Sequence, residues 1–258
     1  MCATCGCGED GVTVTIPGHT HPHEHEHEHH DHTETVTLEQ KVLAKNDELA
    51  DRNRAWLAER DILALNLTSS PGAGKTTLLE RTIRELSPRR PVAVIEGDQE
   101  TLLDADRIKA AGARAVQVNT GAGCHLDAAM VQRALRTLDP EPESLLFIEN
   151  VGNLVCPALF DLGEHGKVVI ISVTEGDDKP LKYPHIFAAA ELVIVNKIDL
   201  LQHVVFDVKK CCGHVRSLNR RAQILTLSAA SGDGSAQWYE WIDECAKTAS
   251  SRTPVDKI

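Results

Sequence analysis

Aromatic residues are scarce in this chain, with four Phe, two Tyr and three Trp among 258 residues, and only two Met. A core must therefore rest on Val, Ile, Leu and Ala, the composition of parallel sheets buried on both faces. No apolar run approaches the roughly 20 residues of a membrane span, so no membrane-embedded part is expected. The N-terminus lacks a basic segment followed by an apolar one, which predicts no secretory signal. There is no basic excess either: 27 Lys and Arg face 38 Asp and Glu, for a net charge of −11. With no basic stripe, nucleic acid is not an expected partner. No internal repeat is visible.

Cysteine, by contrast, is plentiful: eight residues, without an export signal. That combination predicts a reducing compartment, the cytoplasm, where thiols serve metals or chemistry rather than disulfides. Three of them open the chain in "MCATCGCGED", and "HTHPHEHEHEHHDH" follows. Residues 1–37 carry seven acids and no Lys or Arg, and lack hydrophobic periodicity. Such a segment buries too little apolar area to offset chain entropy, so it reads as a disordered metal-binding tail. From Leu38 the pattern turns helical, with Leu38, Val42, Leu49, Trp56 and Leu57 on one stripe. Residues 38–258 then alternate seven β-rich runs (62–68, 91–97, 113–119, 144–150, 167–173, 191–197 and 223–228) with helical stretches. Alternation of that kind predicts an α/β fold, a mostly parallel sheet of about seven strands flanked by helices.

"NLTSSPGAGKTTLLE" follows the first run and opens a helix. It resembles the P-loop pattern G-x-x-x-x-G-K-S/T, with Ser69 in the first glycine position, and so predicts a P-loop NTPase. Gly72, Ala73 and Gly74 turn backbone N–H groups toward phosphate, and the helix N-terminus favours the negative charge. Lys75 reaches the outer phosphates, the Thr76 hydroxyl ligates magnesium, and Thr77 completes the cradle. "VIVNKIDLL" supplies Asn196, Lys197 and Asp199, the base-recognition pattern of GTPases. A carboxylate at Asp199 accepts from guanine N1–H and the 2-amino group; adenine lacks both donors and would leave it unpaired. Ser228 and Ala229, in "SAAS", fall where GTPases place their fifth motif. GTP is the expected nucleotide. Asp98 in "IEGDQET" and Glu149 in "LLFIEN" are the candidate acids, either of which holds magnesium directly or through water. No arginine finger is evident, so slow hydrolysis is expected.

"NTGAGCHLD" holds Cys124 and His125, and "ENVGNLVCPALF" holds Cys156. Each lies beyond the C-terminal end of an expected strand, the edge along which open parallel sheets place their ligands. Two thiolates and an imidazole suit zinc or nickel, and three ligands leave a position open for exchange or for a second subunit. Packing of a small buried Cys is the ordinary alternative. Cys156 follows Glu149 by seven residues, in a stretch that responds to the γ-phosphate in GTPases, so nucleotide state is expected to change the metal geometry. Cys211, Cys212 and Cys245 fall on helical patterns and read as structural.

In the tail, Cys2, Cys5 and Cys7, with the Cys2 α-amine that removal of Met1 would leave, form a four-donor set suited to Ni(II). His19, His21, His23, His25, His27, His29, His30 and His32 offer many weak sites, a loose store of ions.

Taken together, "MCATCGCG", "SSPGAGKTT", "EGDQET", "GAGCHLD", "ENVGNLVCP", "TEGDDKPLKYP" and "NKIDL" closely resemble the HypB family, the hydrogenase nickel-incorporation GTPases. The resemblance implies a SIMIBI-class GTPase that delivers nickel into the large subunit of nickel–iron hydrogenase. It also implies a homodimer, a HypA-type zinc metallochaperone as partner, a nickel site in the tail, and a second metal site at Cys124, His125 and Cys156. Two alternatives stand beside it: the urease-type nickel-insertion GTPase, which carries a Cys-Pro-His motif absent here, and a nickel storage protein whose G domain only regulates.

Overall fold

In the computed structural model the described residues are 32–98, 103–121 and 123–250. The expected tail residues Cys2, Cys5, Cys7 and His19 to His30 lie outside them, as does the side chain of His32. The first helix, α1, spans His32–Ala58, so helical backbone begins six residues before Leu38. All seven apolar runs are strands: β1 Leu63–Ser69, β2 Val92–Asp98, β3 Arg114–Asn119, β4 Leu145–Glu149, β5 Gly166–Ser172, β6 Leu192–Asn196 and β7 Gln223–Thr226. Helices α2 Lys75–Leu86, α3 Leu103–Ala110 and α4 Ala128–Leu138 follow the first three strands. α5 Lys179–Lys182 and α6 Pro184–Ala188 lie between β5 and β6, α7 Val208–Leu218 precedes β7, and α8 Ser235–Ser250 follows it.

The strands form one sheet in the order β3-β2-β4-β1-β5-β6-β7, every pair parallel. Its even- and odd-numbered positions face different layers, as a two-residue strand period requires. Leu63, Leu65 and Leu67 of β1 and Val92 and Val94 of β2 pack on α2, α3 and α8. Ala64, Ala93, Ile95, Leu146 and Ile148 pack on α1 and α4, and Val169, Ile171, Val193 and Val195 on α6 and α7. Burial on both faces explains why the strand sequences are nearly continuous Val, Ile and Leu.

The expected stripe of α1 does not hold throughout. Val42 is 50% exposed, and the face turned inward is Asn46, Ala50, Asn53 and Leu57. Their spacing is still helical, but two of the four are polar because their partners are backbone groups. Asn46 donates to the Asp161 carbonyl and accepts from Ala128 N–H; Asn53 donates to the Ala128 and Leu162 carbonyls. α1 therefore grips the start of α4 and the loop before β5, using hydrogen bonds where hydrophobic contact was expected.

Candidate functional site

The P-loop leaves β1 and enters α2 through Gly74, the residue before the helix, which holds φ +94°. A Cβ there would stand 2.5 Å from Asn196 Nδ2, so both conformation and space demand glycine. Asn196, fully buried at the end of β6, donates to the Ala73 carbonyl at 2.8 Å and accepts from Ala229 N–H at 2.9 Å. Lys197 donates to the Gly72 carbonyl at 2.7 Å. One dipeptide thus fixes the end of β6 to the loop before α2 and to the segment after β7. Asp199 stands exposed in the 3-10 turn after β6, and Ser228 is buried, its hydroxyl accepting from Ser231 N–H.

Gly72, Ala73, Gly74, Lys75, Thr76, Thr77, Asp98, Cys124, Glu149 and Lys197 all line a single cleft of about 690 Å³ at the C-terminal ends of the strands. Glu149 Oε1 accepts from the Thr76 hydroxyl at 2.7 Å and lies 3.6 Å from Lys75 Nζ. Lysine, hydroxyl and carboxylate thereby hold one another where phosphate and a cation would interpose. A third acid in this cleft, Glu96, was not anticipated from the sequence. It is 2% exposed on β2, directly beside Glu149 in the register. Its signal was present: a lone acid inside the apolar run "PVAVIEG".

Cys124, His125 and Cys156 converge, their ligand atoms all within 4.8 Å of one another. The two sulfurs stand 2.9 Å apart, and Cys124 Sγ lies 3.6 Å from His125 Nδ1. Tethers hold this group to the end of β4. Asn153 Nδ2 donates to the Cys124 carbonyl, and Asn150 Oδ1 accepts from Leu126 N–H. Leu126 itself is fully buried, against Gly97, where any Cβ would press within 3.0 Å of its side chain. Burying that side chain anchors the loop with about 1.5–3 kcal/mol. Burial, opposed by the Asp127 charge, lowers the pKa of His125, whose ring lies tilted by 33° against Phe160 with the centroids 4.1 Å apart. A neutral imidazole is the form that ligates a metal.

The remaining described thiols are of another kind. Burial pushes Cys211 up to about 12 and Cys245 to about 11, and Cys212 upward too. Alkylation by iodoacetamide at pH 8 is expected to be at least about a hundredfold slower at Cys211 and Cys245 than for an ordinary free thiol. Peptide mass spectrometry over a time course reads this directly, and equal rates would contradict it.

The profile of the CobW/HypB/UreG nucleotide-binding domain matches residues 63–226, from β1 to the end of β7. A hydrogenase maturation factor HypB of Rhizobium leguminosarum bv. viciae is 54% identical over 220 residues, 85% of this chain and 74% of that one. The Escherichia coli K12 protein of the same name is 57% identical over 206 residues, 80% of this chain and 71% of its own. The crystal structure of HypB from Helicobacter pylori in complex with nickel superposes with a TM-score of 0.73 at 35% identity, covering 83% of this chain and all of that one. The P-loop, the Asn196-Lys197 tethers and the clustered thiols thus occur in a chain whose relatives share both sequence and fold, and it belongs to the CobW/HypB/UreG family, among the HypB hydrogenase maturation factors.

Proposed function

We propose that this chain binds and hydrolyses GTP and uses the cycle to deliver nickel to the hydrogenase large subunit during its maturation. One observation carries the reading: Cys124 lines the same cleft as Lys75, Thr76 and Glu149. A change at the phosphates is therefore a change at the wall of the metal group. Guanine is read by Asp199, with Asn196 and Lys197 setting its distance from the P-loop.

The Thr76 hydroxyl, Asp98 and Glu149 offer hard oxygen donors beside the phosphate cradle and fit a magnesium ion, which when bound neutralises phosphate charge. An incoming triphosphate draws Lys75, whose Nζ lies 3.6 Å from Glu149 Oε1, toward its own oxygens. Glu149 is followed by Asn150, whose side chain holds Leu126 N–H two residues from Cys124. The shift thus passes through one peptide unit to the metal loop. Two sulfurs and an imidazole accept nickel and zinc alike, and the open fourth position suits a ligand from a second copy, for which exposed Val155 and Leu159 flank Cys156. A HypA-type zinc metallochaperone and the hydrogenase large subunit are the further partners this reading requires. The Cys- and His-rich tail gathers ions and acts as a store when nickel is scarce.

The test is transfer of radioactive nickel from the loaded full-length protein to metal-free hydrogenase large subunit, with GTP, GDP or a non-hydrolysable GTP analogue. Transfer is expected with GTP and to fall sharply with the other two. Equal transfer in all three would leave a buffer protein rather than a nucleotide-timed chaperone.

A further inference from the structure

Among the described residues three cations line the cleft: Lys75, Lys197 and Arg107. Two are already engaged in building it. Lys75 stands over the P-loop, and Lys197 is bonded to the Gly72 carbonyl. Arg107, on α3, also lines the cleft, and its guanidinium is held by a carboxylate of the neighbouring helix α2. Nε donates to Glu80 Oε1 at 3.1 Å and Nη2 to Glu80 Oε2 at 3.0 Å, a two-pronged grip. Glu80 belongs to α2, four residues after Thr76 and so on the same side of the helix, about 6 Å along its axis from the phosphate end. The next residue, Ile108, is fully buried in the core, so the backbone that carries the guanidinium is fixed beside the cleft.

We propose that Arg107 is a catalytic residue for GTP hydrolysis, an arginine supplied in cis that leaves Glu80 for the γ-phosphate. The assignment rests on the GTPase reading above. In the reaction a water oxygen bonds to Pγ as the bond from Pγ to the bridging oxygen breaks. GDP takes that electron pair, and the water proton ends on inorganic phosphate. Negative charge builds on the γ-oxygens and the bridging oxygen, and a planar pair of N–H donors meets two such oxygens at once. Charge stabilisation of this kind is most of what a protein supplies to phosphoryl transfer. Glu80 serves as a resting place. The side chains are 44% exposed at Arg107 and 14% at Glu80, and Arg84 stands 4.0 Å from Glu80 Oε1, so a triphosphate with its greater charge draws the guanidinium off while the carboxylate keeps a cation beside it.

Single-turnover GTP hydrolysis by the full-length protein, together with affinities for GDP and for a non-hydrolysable GTP analogue, tests the assignment. Arg107→Ala is expected to slow hydrolysis about 100-fold to 1,000-fold while GDP affinity changes little. Arg107→Lys, with a point charge in place of the fork, recovers only part of the rate. Glu80→Ala, which removes the carboxylate that grips Nε and Nη2, is expected to raise the rate. Hydrolysis by Arg107→Ala within twofold of wild type overturns the proposal, and so does an equal loss of rate in Arg107→Ala and Glu80→Ala, which would make the ion pair merely structural. Failure of the wild-type protein itself to hydrolyse GTP would instead remove the GTPase reading on which the assignment stands.

Discussion

Asp199→Asn should cost this protein its preference for GTP, weakening GTP binding by about 100-fold or more, while xanthosine triphosphate becomes the better ligand. The reason lies in donor and acceptor counts. Guanine presents N1–H and a 2-amino group, two donors, to a carboxylate that accepts both. An asparagine amide accepts one and turns its own N–H toward the other, donor against donor. Xanthine keeps N1–H but carries an oxygen at position 2, which matches the amide. At about 1.4 kcal/mol per tenfold, the change corresponds to roughly 3 kcal/mol of recognition. The fold should be untouched, because Asp199 is exposed in a 3-10 turn and the tethers to the P-loop belong to Asn196 and Lys197. Calorimetric titration of both nucleotides against both proteins decides it. Unchanged GTP affinity in the variant would mean that Asp199 does not read the base.

Much of the architecture was legible because a sheet buried on both faces writes itself into the chain as separate apolar runs. β1 through β7 each fall within two residues of such a run. The P-loop was legible because glycine is required at Gly74 by conformation and by the nearness of Asn196. Even the meeting of Cys124, His125 and Cys156 follows from topology, since β3 and β4 flank β2 and deliver their loops to one edge.

What could not be read was polar chemistry with distant partners. The inner face of α1 looked as though it should include Val42, yet Asn46 and Asn53 occupy it, bonded to backbone groups 115 and 75 residues away. Periodicity counts apolar residues and is blind to an amide that satisfies a loop. Asn66 and Asn150 belong to the same class. They are buried in contact, Asn150 Nδ2 donating to Asn66 Oδ1, and Asn66 Nδ2 donating in turn to Glu164. A lone Asn in "ILALNLT" marks such a position without saying what it meets. Arg107 was missed for the opposite reason: nothing in its helix distinguishes it from a solvated surface arginine until Glu80 and the cleft are seen around it.

Cys156→Ala should abolish metal binding at the clustered thiols, whereas Asn150→Ala should leave it in place and disconnect it from the nucleotide. Loss of an outer hydrogen-bond partner typically weakens a metal site about 10–100-fold, so loss of one of three direct ligands is expected to cost at least about 100-fold. Cys156 is only 2% exposed, so its sulfur leaves a small void and no new polar group. Asn150 acts one step back: its side chain accepts from Leu126 N–H at 3.2 Å and from Val151 N–H at 3.0 Å, immediately after the acid that faces Lys75. Without it the metal loop keeps its sulfurs and its buried leucine but loses the bond through which a movement of Glu149 arrives. The measurement is nickel–thiolate absorption titrated with GDP or a non-hydrolysable GTP analogue bound, in full-length protein whose Cys2, Cys5 and Cys7 are alanine. Wild-type clusters should give two affinities, Asn150→Ala a single affinity in both states, and Cys156→Ala none in the measurable range. Two distinct affinities in Asn150→Ala would place the coupling elsewhere, and Asn153, which donates to the Cys124 carbonyl, would be the next side chain to remove.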